Sequence, residues 1–152
     1  MRVVIQRVSE AFVKVDNHVI GQIQAGFLIL AGFEADDTQK DLEWISGKIS
    51  KLRIFNDENG VMNINIKDAG GDILLVSQFT LHADAQKGNR PSYIKAARPE
   101  IAIPLYQQFI QQLELDLGKS IQTGKFGADM KVILINDGPV TILLDSKTDL
   151  NA

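Results

Sequence analysis

The chain contains no cysteine in its 152 residues. Disulfides, thiolate metal centres and cysteine nucleophiles are therefore excluded. Histidine is nearly as scarce: the only two, His18 and His82, stand far apart and offer no spacing suited to a structural zinc. No apolar run approaches the roughly 18 to 20 residues that a membrane-spanning helix requires. Neither sign of charge dominates, and the formal net charge of −3 argues against indiscriminate nucleic-acid binding while saying nothing of local patches. The opening "MRVVIQRVSEAFVKV" lacks the basic, apolar and small-residue regions of a secretory signal, so a cytoplasmic protein is expected. Internal repeats and low-complexity segments are missing as well.

What is present reads as one domain, long enough to bury roughly two-thirds of its unfolded surface around a single core. Arg2 to Ser9 and Ala11 to Val15 alternate like two strands, and Asp16-Asn17 is a turn before the short apolar piece His18 to Ile20. "GFLILAGF", Gly26 to Phe33, is a continuous apolar run of strand length. It leads into a segment where Leu42, Ile45, Ile49 and Leu52 recur at helical spacing behind acidic residues suited to a helix start. Asn56 to Gly60 is turn chemistry. After Gly70-Gly71, "DILLVSQFTL" predicts a second buried strand; Leu105, Phe109 and Leu113 then mark a second helix with Gly118 as its C-cap. From Ser120 onward three further strands are expected, ending in a polar, frayed tail. The order, two strands, two strand–helix units and three strands, predicts an α/β class: a mixed, barrel-like sheet system with helices on one side.

Four stretches carry possible chemistry. "LLVSQFTLHAD" ends a core strand in Ser77, Gln78 and Thr80 interleaved with Phe79; such polar groups either bond neighbouring backbone or form a site at the strand's carboxyl end. A serine triad is disfavoured, because the Gly-x-Ser-x-Gly elbow is missing and His82 has no identifiable orienting acid. "QKGNRPSYIKAARPE" gathers Lys87, Arg90, Lys95 and Arg98 against one acid, with Tyr93 among them. It is either a solvated loop or a phosphate-contacting surface. "TGKFGADMKV" places Gly124 and Gly127 around Phe126, as loop glycines or as points where backbone N–H groups approach a ligand. In "MKVILINDGPVTILLD", Asn136-Asp137-Gly138-Pro139 separates two strand-like runs. The residue types alone suggest a hairpin turn, yet a proline there weakens a rung of the ladder.

In combination, "MRVVIQRVSEAFV", "GGDILLVSQFTLHAD", "KGNRPSY", "TGKFGADM" and "NDGPVT" resemble the D-aminoacyl-tRNA deacylases from Met1 to about Asp145. Tyr93 stands where that family often has Phe, and the tail 146–152 is unmatched. The resemblance implies a deacylase domain over 1–145 and ester hydrolysis of D-aminoacyl-tRNA without metal or cofactor. It implies a homodimer in which Ser77, Gln78, Phe79 and Thr80 wall each site while Gly138 and Pro139 enter the partner's. A cis peptide before Pro139, with carbonyls aimed as a chirality gauge, and a supporting Arg7 also follow from it; by itself Arg7 reads as an exposed strand arginine. Two rivals stand beside this reading: a non-catalytic RNA-binding module, and a small-molecule esterase using Ser77 or Thr80.

Overall fold

A computed structural model describes residues 1–150. Its sheet runs in the order β2-β1-β3-β6-β7, with β8 pairing β1. β1 (Arg2–Val15), β2 (His18–Ile23) and β3 (Gly26–Gly32) form an antiparallel meander. Asp16 and Asn17 turn the first hairpin with φ of 49° and 68°, the left-handed conformation that Asn and Asp tolerate. α1 (Gln39–Lys51) follows β3, and a small hairpin of β4 (Phe55–Asn56) and β5 (Met62–Ile64) precedes the single turn α2 (Ile66–Ala69). β6 (Asp72–Ser77) pairs parallel with β3 and β7 (Gln122–Thr123) parallel with β6, around the crossover helix α3 (Pro99–Leu117). β8 (Lys131–Asp145) and the turn α4 (Ser146–Asp149) complete the described chain.

The apolar runs of β3 and β6 are continuous because both faces are covered. Phe27, Ile29, Ile73 and Leu75 point toward α1 and α3, where they join Leu42, Ile45, Ile49, Leu105, Phe109 and Leu113. Alternate residues Leu28, Leu74 and Val76 point to the other side, against Val8, Ala11 and Val13 of β1 and the first half of β8. The helices thus share one face, and the sheet curls over a second, smaller core on the other.

Three expectations change. β1 is one strand of 14 residues rather than two, and β8 one strand of 15 rather than a pair joined by a hairpin. Both runs of β8 pair antiparallel with β1, Val132 with Val13 and Ile142 with Ile5, so they are collinear. Val8 pairs with Asn136 and Gln6 with Thr141, which leaves Arg7 alone opposite Asp137, Gly138, Pro139 and Val140. The Asn-Asp-Gly-Pro element is therefore a protrusion from a continuous ladder, an enlarged bulge. The strand expected through Leu81 stops at Ser77, whose pairing with Ala31 is the last of the parallel ladder.

The frayed tail is also revised for its first part. Ser146 is fully buried, and its hydroxyl donates to Asp41 Oδ1 at 2.6 Å while accepting from the Met1 ammonium at 2.9 Å. That ammonium pairs with Asp37 at 2.6 Å, both groups being shielded from solvent. Asp41 doubles as the capping-box acid of α1, taking the Thr38 N–H at 2.9 Å. Burial raises the Asp41 carboxyl, but hydrogen bonds from Ser146 and Thr38 and the charge of Lys147 outweigh it and hold the group at about 2. The tail's final two positions lie outside the described residues.

Candidate active site

A cleft of about 260 Å³ opens at the carboxyl ends of β3 and β6. Ala31 and Gly32 from β3 and Val76 and Ser77 from β6 form one wall, continued by Gln78 and Phe79; Phe126 to Met130 form the opposite wall. The sequence motifs "SQFT" and "GKFGADM", about fifty residues apart in sequence, thus meet where parallel strands end. Gly127 has φ +76°, and a side chain at Gly124 would strike Met130 Sδ at 2.6 Å, so both glycines let this wall fold back on itself.

Beyond Ser77 the backbone leaves the ladder. Gln78 N–H donates to Ala31 O at 2.7 Å, and Phe79–His82 then form a single 3₁₀ turn. The N–H groups of Phe79 and Thr80 open that turn, so neither has a partner within it. The Gln78 amide donates to the Thr80 hydroxyl. Thr80 lies on the turn but is not part of the cleft lining, whereas Ser77, Gln78 and Phe79 are. Phe79 is 57% exposed, and its ring meets Tyr93 edge to face at 5.1 Å. An aromatic half in water beside a cleft is a ready contact surface.

His82 was expected to lack an orienting acid; Glu34 supplies one. His82 is 2% exposed, and its Nδ1 lies 3.1 Å from Glu34 Oε1. The partners are separated by the whole of α1 and β6, which hid the pair from inspection of the sequence.

Arg7 is 6% exposed, contrary to its reading as a surface arginine. Its Nε donates to Asp137 O at 2.8 Å and its Nη1 to Ile54 O at 2.7 Å, tying the protrusion to the chain before β4. Asn136, read from the sequence only as a turn residue, closes the neck: its side chain accepts from Val140 N–H at 2.8 Å and donates to Val140 O at 3.2 Å. At the tip the Gly138-Pro139 peptide is cis, and Gly138 has φ +152°. A Cβ at Gly138 would lie 2.7 Å from Val140 N and 3.3 Å from Arg7 Nη2. Neither Gly138 nor Pro139 lines the cleft of its own chain, and both are exposed.

The basic stretch forms a loop closed by paired backbone bonds between Asp84 and Ser92, both 2.8 Å. Lys95 sits 3.8 Å from Asp84 Oδ2, while Lys87, Arg90 and Arg98 form no ion pair among the described residues. No helix among those residues is long and apolar enough to cross a membrane.

Fold and cleft together define a mixed α/β protein with a pocket lined by small residues together with Phe33, Phe79, Phe126 and Met130. A sequence-family model described as D-Tyr-tRNA(Tyr) deacylase matches residues 4–145. The chain belongs to that family and is an enzyme of the deacylase type. It is 64% identical over 147 residues to a D-aminoacyl-tRNA deacylase of Flavobacterium psychrophilum, covering 97% of this chain and 98% of that one. A Bacteroides fragilis protein of the same name is 61% identical over 147 residues, with the same coverage. Among solved structures, one titled c-Myc DNA Unwinding Element Binding Protein superposes with a TM-score of 0.89 at 43% identity, covering 96% of this chain and 99% of that one. A second, titled as a probable eukaryotic D-amino acid tRNA deacylase, gives 0.81 at 17% identity over 94% and 97%, a likeness of fold.

Proposed function

We propose that this enzyme hydrolyses the ester joining a D-amino acid to the 3′-terminal ribose of tRNA, releasing the free amino acid and rejecting L-aminoacyl esters. Residues 1–145 constitute the deacylase domain in this reading, and 146–152 the polar tail. The observation that carries it is a division of labour: a cleft walled by Ser77, Gln78 and Phe79, and a Gly138-Pro139 tip that serves no cleft in its own chain. A second copy unites them. β8 supports that arrangement, because Ile133, Ile135 and Leu143 are 38%, 53% and 65% exposed along the strand that bears the tip.

The tip acts as a chirality gauge. Its main-chain carbonyls hold the substrate's α-ammonium, and backbone occupies the position of an L side chain. Rejection is then steric and indifferent to side-chain identity. Arg7 supports the gauge by fixing the Asp137 carbonyl.

Catalysis needs no side-chain nucleophile. An aminoacyl ester is activated by its own ammonium, and the Phe79 and Thr80 N–H groups, helped by Gln78, stabilise the oxyanion; one such donor is worth about 10²–10³ in rate. The ribose 2′-hydroxyl positions the water, which restricts the substrate to RNA and excludes DNA. No cofactor or metal takes part in this scheme. Lys87, Arg90, Lys95 and Arg98 contact tRNA phosphates without reading sequence, and the reaction belongs in the cytoplasm, where charged tRNA is used.

Glycine has no side chain for the gauge to reject, so glycyl-tRNA is a side substrate. Hydrolysis of glycyl-tRNA well above that of L-alanyl-tRNA supports the steric gauge; equal resistance of both contradicts it.

A further inference from the structure

The proposed mechanism uses the front of the 3₁₀ turn, Phe79 and Thr80, and leaves its back half unexplained. That back half carries two long-range polar attachments. Arg2, at the start of β1, donates from Nη1 to Leu81 O at 2.7 Å, while its Nε pairs with Asp145 Oδ2 at 2.9 Å. The adjacent His82 is pinned through Nδ1 to Glu34 at 3.1 Å, and its Nε2 is buried without a hydrogen-bond partner among the described residues. Glu34 in turn lies just past β3, where its N–H donates to Asp37 Oδ2 at 2.7 Å. The turn itself rests on Gly32, where a Cβ would lie 2.9 Å from Gln78 O and 3.0 Å from His82 Cδ2.

A single 3₁₀ turn has poor hydrogen-bond geometry and little intrinsic stability, so its placement must come from tertiary contacts. Phe79 offers little anchorage, because its exposed ring touches Tyr93 at the surface. Two residues on the C-terminal side therefore hold the turn, while Phe79 on its N-terminal side lines the cleft. We infer that Arg2 and the His82–Glu34 pair are positioning residues that set the Phe79–Thr80 backbone against the end of β3. This inference rests on the deacylase reading for its catalytic consequence; the mechanical part stands apart from it.

The experiment compares wild type with Arg2→Ala, Glu34→Ala and Glu34→Gln. Hydrolysis of D-tyrosyl-tRNA is measured together with hydrogen exchange at the Leu81 and Ala83 amides, which donate to Gln78 O and Thr80 O within the turn. Arg2→Ala and Glu34→Ala are expected to speed exchange at those two amides about tenfold or more, with β3 and β6 unchanged. They are expected to lower kcat about tenfold with KM little altered, since small misplacements of a catalytic backbone are costly. Glu34→Gln keeps an acceptor for Nδ1 and should restore both readouts. Unchanged exchange in both alanine variants overturns the inference, as does a loss confined to KM or a failure of Glu34→Gln to rescue. If wild type itself cleaves neither D- nor L-ester, the deacylase reading fails, and faster exchange in the alanine variants still establishes the clamp.

Discussion

The 3₁₀ turn at Phe79–His82 and the protrusion at Asp137–Val140 are both short departures from long strands, yet they are built in opposite ways. The turn ends a strand buried on both faces and borders a cleft within its own chain. The protrusion interrupts a strand whose outer face is exposed, and it is stiffened by Arg7 and Asn136 while its tip touches no cleft. In the proposed reading, a tip held this firmly outside its own chain's cleft meets the substrate in the site of a second copy. On that reading the contrast separates two jobs that a single pocket often combines: stabilising the reaction and judging the substrate's hand.

The largest effect should come from the tip. Gly138→Ala places a Cβ 2.7 Å from Val140 N at a φ that disfavours any side chain. Hydrolysis of D-tyrosyl-tRNA is expected to fall about 10²-fold or more with the fold retained, as a displaced positioning element implies. Near-normal kcat/KM in this variant would sink the assignment of the tip to the substrate. Arg7→Lys comes next. A lysine lacks the fork that reaches both Asp137 O and Ile54 O, and one buried carbonyl left unpaired costs about 1–3 kcal/mol. Thermal melting should show that loss, and D-over-L selectivity should narrow with it.

Acid also perturbs the scaffold at Asp41, away from both regions. The Asp41 carboxyl lies at about 2 when folded against an ordinary 3.8, so its contribution is fully present above about pH 4 and lost as the pH falls toward about 2. The loss amounts to about 2 kcal/mol. Asp41→Asn should flatten that stretch of the stability–pH curve; an unchanged slope would show that Asp41 does not govern it. The smallest effect is expected at the turn's own hydroxyl: Thr80→Ala should stay within about tenfold of wild-type kcat, well short of the 10²–10³ of a lost oxyanion donor. Complete loss in a folded Thr80→Ala protein would defeat the substrate-assisted route.

The buried strands were legible because a run such as Phe27 to Ala31 can be satisfied only by cover on both faces. The two main helices were legible from Leu42, Ile45, Ile49 and from Leu105, Phe109, Leu113, spaced to fill one side. The continuity of β8 was hidden, since Asn-Asp-Gly-Pro has the same composition in a hairpin as in a bulge, and only pairing with β1 decides between them. Arg7 and His82 misled for another reason. Their partners, Asp137 O, Ile54 O and Glu34, lie far away in sequence, and two of them are backbone atoms that carry no residue signature. Ser77 to Thr80 could be recognised as a motif, but the 3₁₀ turn that follows the end of the β3–β6 ladder is held by partners distant in sequence, Arg2 and Glu34.

The most direct measurement is hydrolysis of matched D- and L-tyrosyl-tRNA by the purified protein in EDTA. The account predicts rapid release from the D ester alone, unaffected by the chelator. Equal cleavage of both esters would contradict the gauge, and cleavage of neither would contradict the proposed reaction itself.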